Sequence, residues 1–178
     1  MDVKTAFLNG DLIEEIYMDV PEGIDNNNIP PGSVCKLNRT LYGLKQSPRI
    51  WNKKIDDYLI NQGFTRLDTD HSIYIRRQHN NSINNSINII AIYVDDLILL
   101  TNSTESICKL KLELHNAFKM TDCGEIHHFL GLRVDHDRAN RKLTLDQEHF
   151  VNQILNRFNM SDCKPVLTPL DQSVKLQQ

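Results

Sequence analysis

Apolar positions along this chain follow two rhythms, one helical and one alternating. After Ser47-Pro48, residues Trp51, Ile55, Tyr58 and Leu59 fall on one face, which predicts a helix running to about Gln62-Gly63. Ser47 suits the capping position and Pro48 the first turn, where its missing N–H costs nothing. A second helix is predicted from Ser103 or Thr104, with Ile107, Leu110, Leu114 and Phe118 at helical spacing. A third, over residues 147–159, offers Phe150, Ile154, Leu155 and Phe158 as its buried stripe.

Between these helices the rhythm shortens. Residues 1–7 read as the end of a strand running into a turn at Asn9-Gly10, and 16–20, 34–37, 73–75, 88–94 and 97–101 as strands. Residues 129–134 and 142–145 alternate around 137–140 and predict a hairpin. The tract 79–88 is rich in Asn and Ser and lacks periodicity, as expected of a flexible hairpin tip. Prolines make 21–32 a loop and the tail from Lys164 irregular. The expected fold class is α+β: an antiparallel sheet backed by helices, with no internal repeat.

Composition narrows the picture a little. The chain has 178 residues, 40% hydrophobic and 24% charged, enough to bury a core as a globular domain. Its longest apolar runs, 89–94 and 97–100, are too short to span a bilayer, so no membrane partner is expected. No charged and apolar leader opens the chain, which predicts an intracellular protein whose five Asn-x-Ser/Thr sites stay unglycosylated. Cys35, Cys108, Cys123 and Cys163 form no Cys-x-x-Cys pair and read as reduced thiols. His127, His128 and His136 read as surface histidines without a zinc site. The net charge of −3 hides an asymmetry. Residues 1–25 carry seven acidic groups and one basic; residues 36–54 carry six basic groups and no acidic one. Such a basic stretch could follow a phosphate backbone, or form an ordinary solvated face.

The sharpest chemistry lies in Tyr93-Val94-Asp95-Asp96, where two carboxylates sit at the tip of a hairpin between apolar runs. Aspartate is a common turn residue. Adjacent like charges, however, repel by about 4 kcal/mol at ~4 Å in an effective dielectric near ~20. A divalent cation would remove that repulsion. If the strand carrying Asp2 lies beside this hairpin, three carboxylates converge. They would suit a pair of Mg²⁺ ions of the kind that activates a hydroxyl and stabilises a leaving pyrophosphate.

Four blocks occur in order: residues 2–10, Leu41-Tyr42-Gly43-Leu44-Lys45-Gln46-Ser47-Pro48-Arg49-Ile50-Trp51, Tyr93-Val94-Asp95-Asp96 and Phe129-Leu130-Gly131-Leu132-Arg133. Together with Phe118-Lys119-Met120-Thr121-Asp122-Cys123-Gly124-Glu125, they resemble copia-type retrotransposon reverse transcriptases from residue 1 to about 169. The resemblance implies an RNA-directed DNA polymerase palm, residues 1–146, followed by the start of the thumb and an irregular tail, residues 147–178. It implies Asp2, Asp95 and Asp96 as the catalytic carboxylates and Mg²⁺ ligands. Phe7 would gate the nucleotide sugar, and Tyr42, Gly43 and Lys45 would line the nucleotide side, with glycine permitting close backbone approach. Phe129, Leu130, Gly131 and Arg133 would grip the primer, while Trp51 belongs to the core.

Implied partners are an RNA template, a DNA primer, deoxynucleotides and the remaining Pol regions, in a cytoplasmic setting. The fingers that precede the first aspartate in the family and the ribonuclease H domain that follows are not in this sequence, which predicts that the stretch by itself is inactive as a polymerase. A non-catalytic remnant binding nucleic acid through residues 36–54 is the alternative expectation.

Overall fold

A computed structural model describes residues 1–24, 29–78 and 86–167. Contacts divide the chain into two compact units, Met1–Gly124 and Glu125–Gln178.

The first unit is built on a six-stranded antiparallel sheet. Its strands are β1 (Asp2–Val3), β4 (Thr65–Arg66), β5 (Ile73–Gln78), β6 (Ser86–Tyr93), β7 (Asp96–Thr101) and β8 (Met120–Thr121), in the order β4-β5-β6-β7-β1-β8. A small separate hairpin pairs β2 (Tyr17–Asp19) with β3 (Val34–Lys36). Helices α1 (Ser47–Asn61) and α2 (Thr104–Ala117) cover one face of the main sheet. Trp51, Ile55 and Leu59 from α1 and Leu110 and Leu114 from α2 are buried against Val3, Tyr74, Ile90 and Leu97. Both helices therefore bury the stripe that their sequence spacing predicts.

Local chemistry sets the boundaries. Gly63, at φ +80°, takes the left-handed conformation that ends α1. Ser103 caps α2 by accepting the Ser106 N–H at 3.3 Å. Ser47 does not cap α1: its hydroxyl donates to the Leu41 carbonyl at 2.5 Å, tying the preceding loop to the helix start. The expected hairpin tip at 79–88 falls partly outside the described residues. Its end, Ser86 to Asn88, belongs to β6, because Ser86 and Asn88 turn to the buried face while Ile87 points out.

In the second unit, β10 (Leu132–Asp137) lies between β9 (His128–Phe129) and β11 (Lys142–Asp146). Residues 129–134, expected as one strand, are two strands joined by the turn Leu130-Gly131. Phe129 pairs with Leu132 across it, and both turn residues have positive φ, +50° and +79°. Helix α3 (Glu148–Arg157) forms where the apolar spacing predicts it, but its stripe is not buried. Phe150 is 52% exposed and Phe158 67%, and of the stripe only Leu155 is half-buried. Among the described residues, no helix is long and apolar enough to cross a membrane.

Candidate active site

The sheet register brings the acidic residues together. β1 inserts between β7 and β8, setting Asp2 directly opposite Asp96 on one side and Thr121 on the other. The insertion is held by backbone hydrogen bonds in which Leu97 N–H donates to Met1 and Val3 N–H to Asp95, each at 2.8 Å. Val3 and Leu97 point into the core, so Asp2 and Asp96, one residue away on each strand, project from the opposite face. Tyr93 pairs with Asp96, leaving Val94 and Asp95 as a two-residue loop.

That loop is strained. Val94 has φ +57°, a left-handed conformation that a β-branched side chain resists at a cost of about 1–3 kcal/mol. Its carbonyl is held by the Trp51 indole N–H at 2.6 Å. A hydrogen bond of this kind nets about 1 kcal/mol, the same order as the strain it opposes. Trp51 is thus core, as expected, and also braces the carboxylate turn. The sequence placed it on the buried face of α1 but carried no signal of its distant backbone partner.

The electrostatics agree with the register. The Asp96 carboxyl is held above its ordinary range, first by burial, then by the charges of Asp95 and Asp2, with the Met1 ammonium opposing. Carboxylate oxygens suit a hard divalent cation, and mutual repulsion of this kind is what such an ion relieves. As the side chains stand, however, no three His, Cys, Asp or Glu groups among the described residues are arranged to hold a metal. Donor chemistry and register fit a cation; the side chains would have to turn to close on it.

The neighbouring predicted residues divide into two sets. Phe7, in the 3₁₀ turn Ala6–Asn9 that follows β1, packs its ring against Tyr42 at 4.7 Å. The Thr40 hydroxyl donates to the Phe7 carbonyl, and Thr40 N–H donates to Gly10 at 3.0 Å, so the turn is clamped to the stretch leading into residues 41–46. Gly10 is required by this approach: a Cβ there would meet the Thr40 hydroxyl and come within 2.7 Å of Ile50. Gly43 is required by its φ of +97° and faces open space, so no close approach within the chain explains it. Lys45 is exposed and has no ion-pair partner among the described residues. Phe7 and Val94 lie on one cleft of about 480 Å³ with Trp51, Arg49 and Arg66.

In the second unit, Leu130, Gly131 and Arg133 line a separate cleft of about 320 Å³ with His128, His149 and Phe150. Phe129 is half-buried in β9. Arg133 is already engaged, reaching Asp146 at 2.9 Å and Glu148 at 3.2 Å. This pairing raises the pKa of the guanidinium and lowers that of the Asp146 carboxyl. Of the basic stretch 36–54, Lys36 pairs with Glu15, Lys53 with Asp57 and Lys54 with Asp11. Arg39, Lys45 and Arg49 have no such partner among the described residues.

The first unit is thus an antiparallel sheet backed by helices, with Asp2 and Asp96 on the face opposite the helices. Sequence comparison makes the class specific. The profile of the reverse transcriptase (RNA-dependent DNA polymerase) family matches residues 1–172. The chain belongs to that family, and the resemblance read from its four blocks is borne out. The Retrovirus-related Pol polyprotein from transposon TNT 1-94 of Nicotiana tabacum is 44% identical over 178 residues, all of this chain and 13% of that protein. The corresponding polyprotein from transposon RE1 of Arabidopsis thaliana is 36% identical over 177 residues, 99% of this chain and 12% of the relative. The chain therefore spans about an eighth of the curated relatives that head its matches. No solved structure matches it.

Proposed function

We propose that this chain is the palm of an RNA-directed DNA polymerase, with Asp2, Asp95 and Asp96 as its catalytic carboxylates. The observation that carries the reading is the β1–β7 register, which sets Asp2 against Asp96 beside a strained turn bearing Asp95. Two Mg²⁺ ions held by these carboxylates would supply charge neutralisation for nucleotidyl transfer. The chain's own part is positional. β1 and the β6–β7 hairpin carry the carboxylates on the face opposite the helices. The Phe7–Tyr42 ring pair, with Gly43 and Lys45 in the adjoining loop, would receive the deoxynucleotide sugar and phosphates. Residues 1–146 would form the palm and 147–178 the start of the thumb. Phe129, Leu130, Gly131 and Arg133 would hold the primer end once Arg133 exchanges a carboxylate for phosphate. RNA template, DNA primer and the other Pol regions would be the partners.

The test is incorporation of deoxynucleotides on a primed RNA template by the chain joined to the fingers and ribonuclease H regions of a Pol polyprotein. Mg²⁺-dependent extension that Asp95→Asn reduces by about 10³-fold or more is expected, since the lost ligand acts on charge that develops only in the transition state. Absence of extension under every metal condition would overturn the reading for this polypeptide. A second reading, nucleic-acid binding without chemistry, is favoured by Arg39, Lys45 and Arg49, which have no ion-pair partner among the described residues. It requires binding that falls with salt and ignores Asp95→Asn.

A further inference from the structure

We infer that Trp51 is a positioning residue for the proposed reaction: its indole N–H holds the Val94–Asp95 turn in the left-handed state that presents Asp95 and Asp96. The inference rests on the reading that this turn carries the catalytic carboxylates. Its observations are independent of that reading.

Three features carry it. First, the bond is short and its donor is buried: Nε1 lies 2.6 Å from the Val94 carbonyl, and Trp51 is 2% exposed. A buried indole N–H needs a partner, and here that partner is the residue whose backbone is least comfortable. Second, Val94 is the wrong residue for a relaxed turn. Two-residue hairpin loops at positive φ favour Asn, Asp or Gly, so an external hold is needed to keep valine there. Third, Trp51 is itself immobilised. Its ring meets Phe118 edge to face at 5.3 Å, and Phe118 also meets Tyr58 at 5.1 Å. Phe118 stands two residues before Met120, where β8 begins to pair with β1 and thus with Asp2.

One side chain consequently touches the turn bearing Asp95 and Asp96 and the element that leads to the strand beside Asp2. It also sits one helical turn after Ser47, whose hydroxyl secures the loop bearing Tyr42, Gly43 and Lys45. Trp51 thereby ties the nucleotide-side loop to the carboxylate hairpin through a single rigid helix turn. Removing the N–H while keeping an aromatic ring should let Val94 leave the left-handed region. Replacing Val94 with glycine, which occupies that region without strain, should make the brace unnecessary.

Backbone hydrogen exchange on the whole chain reads this directly. The Val3 amide is bonded to the Asp95 carbonyl, so its protection reports the placement of the turn. Trp51→Phe is expected to speed Val3 exchange by about tenfold or more while the amides of Leu59 and Leu110 keep their protection. Val94→Gly in the Trp51→Phe background is expected to restore Val3 to within about threefold of the parent. Unchanged Val3 exchange in Trp51→Phe, a uniform rise across all core amides, or failure of Val94→Gly to restore protection would overturn the inference.

Should Trp51→Phe not fold, the parent decides. The chain has one tryptophan, so its single indole N–H resonance is unambiguous. Exchange of that proton as slow as the Val3 amide supports the brace, and exchange at the free-indole rate overturns it. Primer extension by the chain joined to the fingers and ribonuclease H regions of a Pol polyprotein then addresses the role in the reaction. In Trp51→Phe kcat should fall about tenfold with KM for the nucleotide nearly unchanged, and Val94→Gly should recover it. An extending parent with an unaffected Trp51→Phe variant overturns the positioning role. A parent that extends no primer overturns the polymerase reading, and the exchange experiment still judges the brace.

Discussion

Asp96 shows how the site trades stability for charge. Its folded pKa stands above the ordinary carboxylate value because of burial, Asp95 and Asp2. A group with a raised folded pKa stabilises the fold when protonated, and that contribution is lost as pH rises through its folded pKa. At neutral pH the ionised carboxylate therefore works against folding. Asp96→Asn is expected to raise the melting temperature at pH 7, and the gain should vanish as pH falls below the usual carboxylate range. A thermal denaturation series across pH checks this; a variant less stable than the parent at pH 7 would contradict it. At this scale the sequence was informative about identity and poor about contacts. Asp95 and Asp96 could be named from the two hydrophobic runs and the acidic tip between them, whereas Asp2 was named only through the family resemblance. The bonds from Trp51 to Val94 and from Ser47 to Leu41 could not, because each joins a side chain to a backbone carbonyl whose position depends on the rest of the fold.

Elements were legible where a periodic face meets a core, as in α1 and α2, and less so where backbone conformation overrides the pattern. Residues 129–134 alternate as a strand should, yet Leu130-Gly131 turns the chain back on itself. The α3 stripe has helical spacing, but spacing says only that a face is apolar and not that something covers it. The basic stretch 36–54 illustrates the same limit for charge. Among the described residues, six cations in sequence become three paired and three without an ion-pair partner, because Glu15, Asp57 and Asp11 come alongside Lys36, Lys53 and Lys54 in the fold. If this stretch meets a phosphate backbone, neutralising Arg49 or Lys45 with alanine should reduce the salt slope of nucleic-acid binding by about one unit each. Lys53→Ala, which removes a cation already paired with Asp57, should leave the slope nearly unchanged. Binding titrations between low and moderate salt would decide, and equal effects from all three variants would contradict the division.

For the molecule as a whole, family membership follows from ordered motifs and is confirmed by relatives that match the full chain. What pattern reading could not supply is the register that turns three separated aspartates into one acidic locus. β1 contributes only Asp2 and Val3, too short a strand to be placed by its own periodicity. Its position is fixed by backbone bonds to Asp95 and Met1–Leu97 and by Val3 packing into the core. The proposed chemistry depends on that placement, and on the carboxylates turning to share a cation. Paramagnetic broadening by Mn²⁺, added with a deoxynucleotide to the isotopically labelled chain, tests this most directly. The amides of residues 2–3 and 94–97 should broaden first, and Asp95→Asn should abolish the effect. Broadening scattered over other acidic surfaces, or persisting unchanged in Asp95→Asn, would contradict the account.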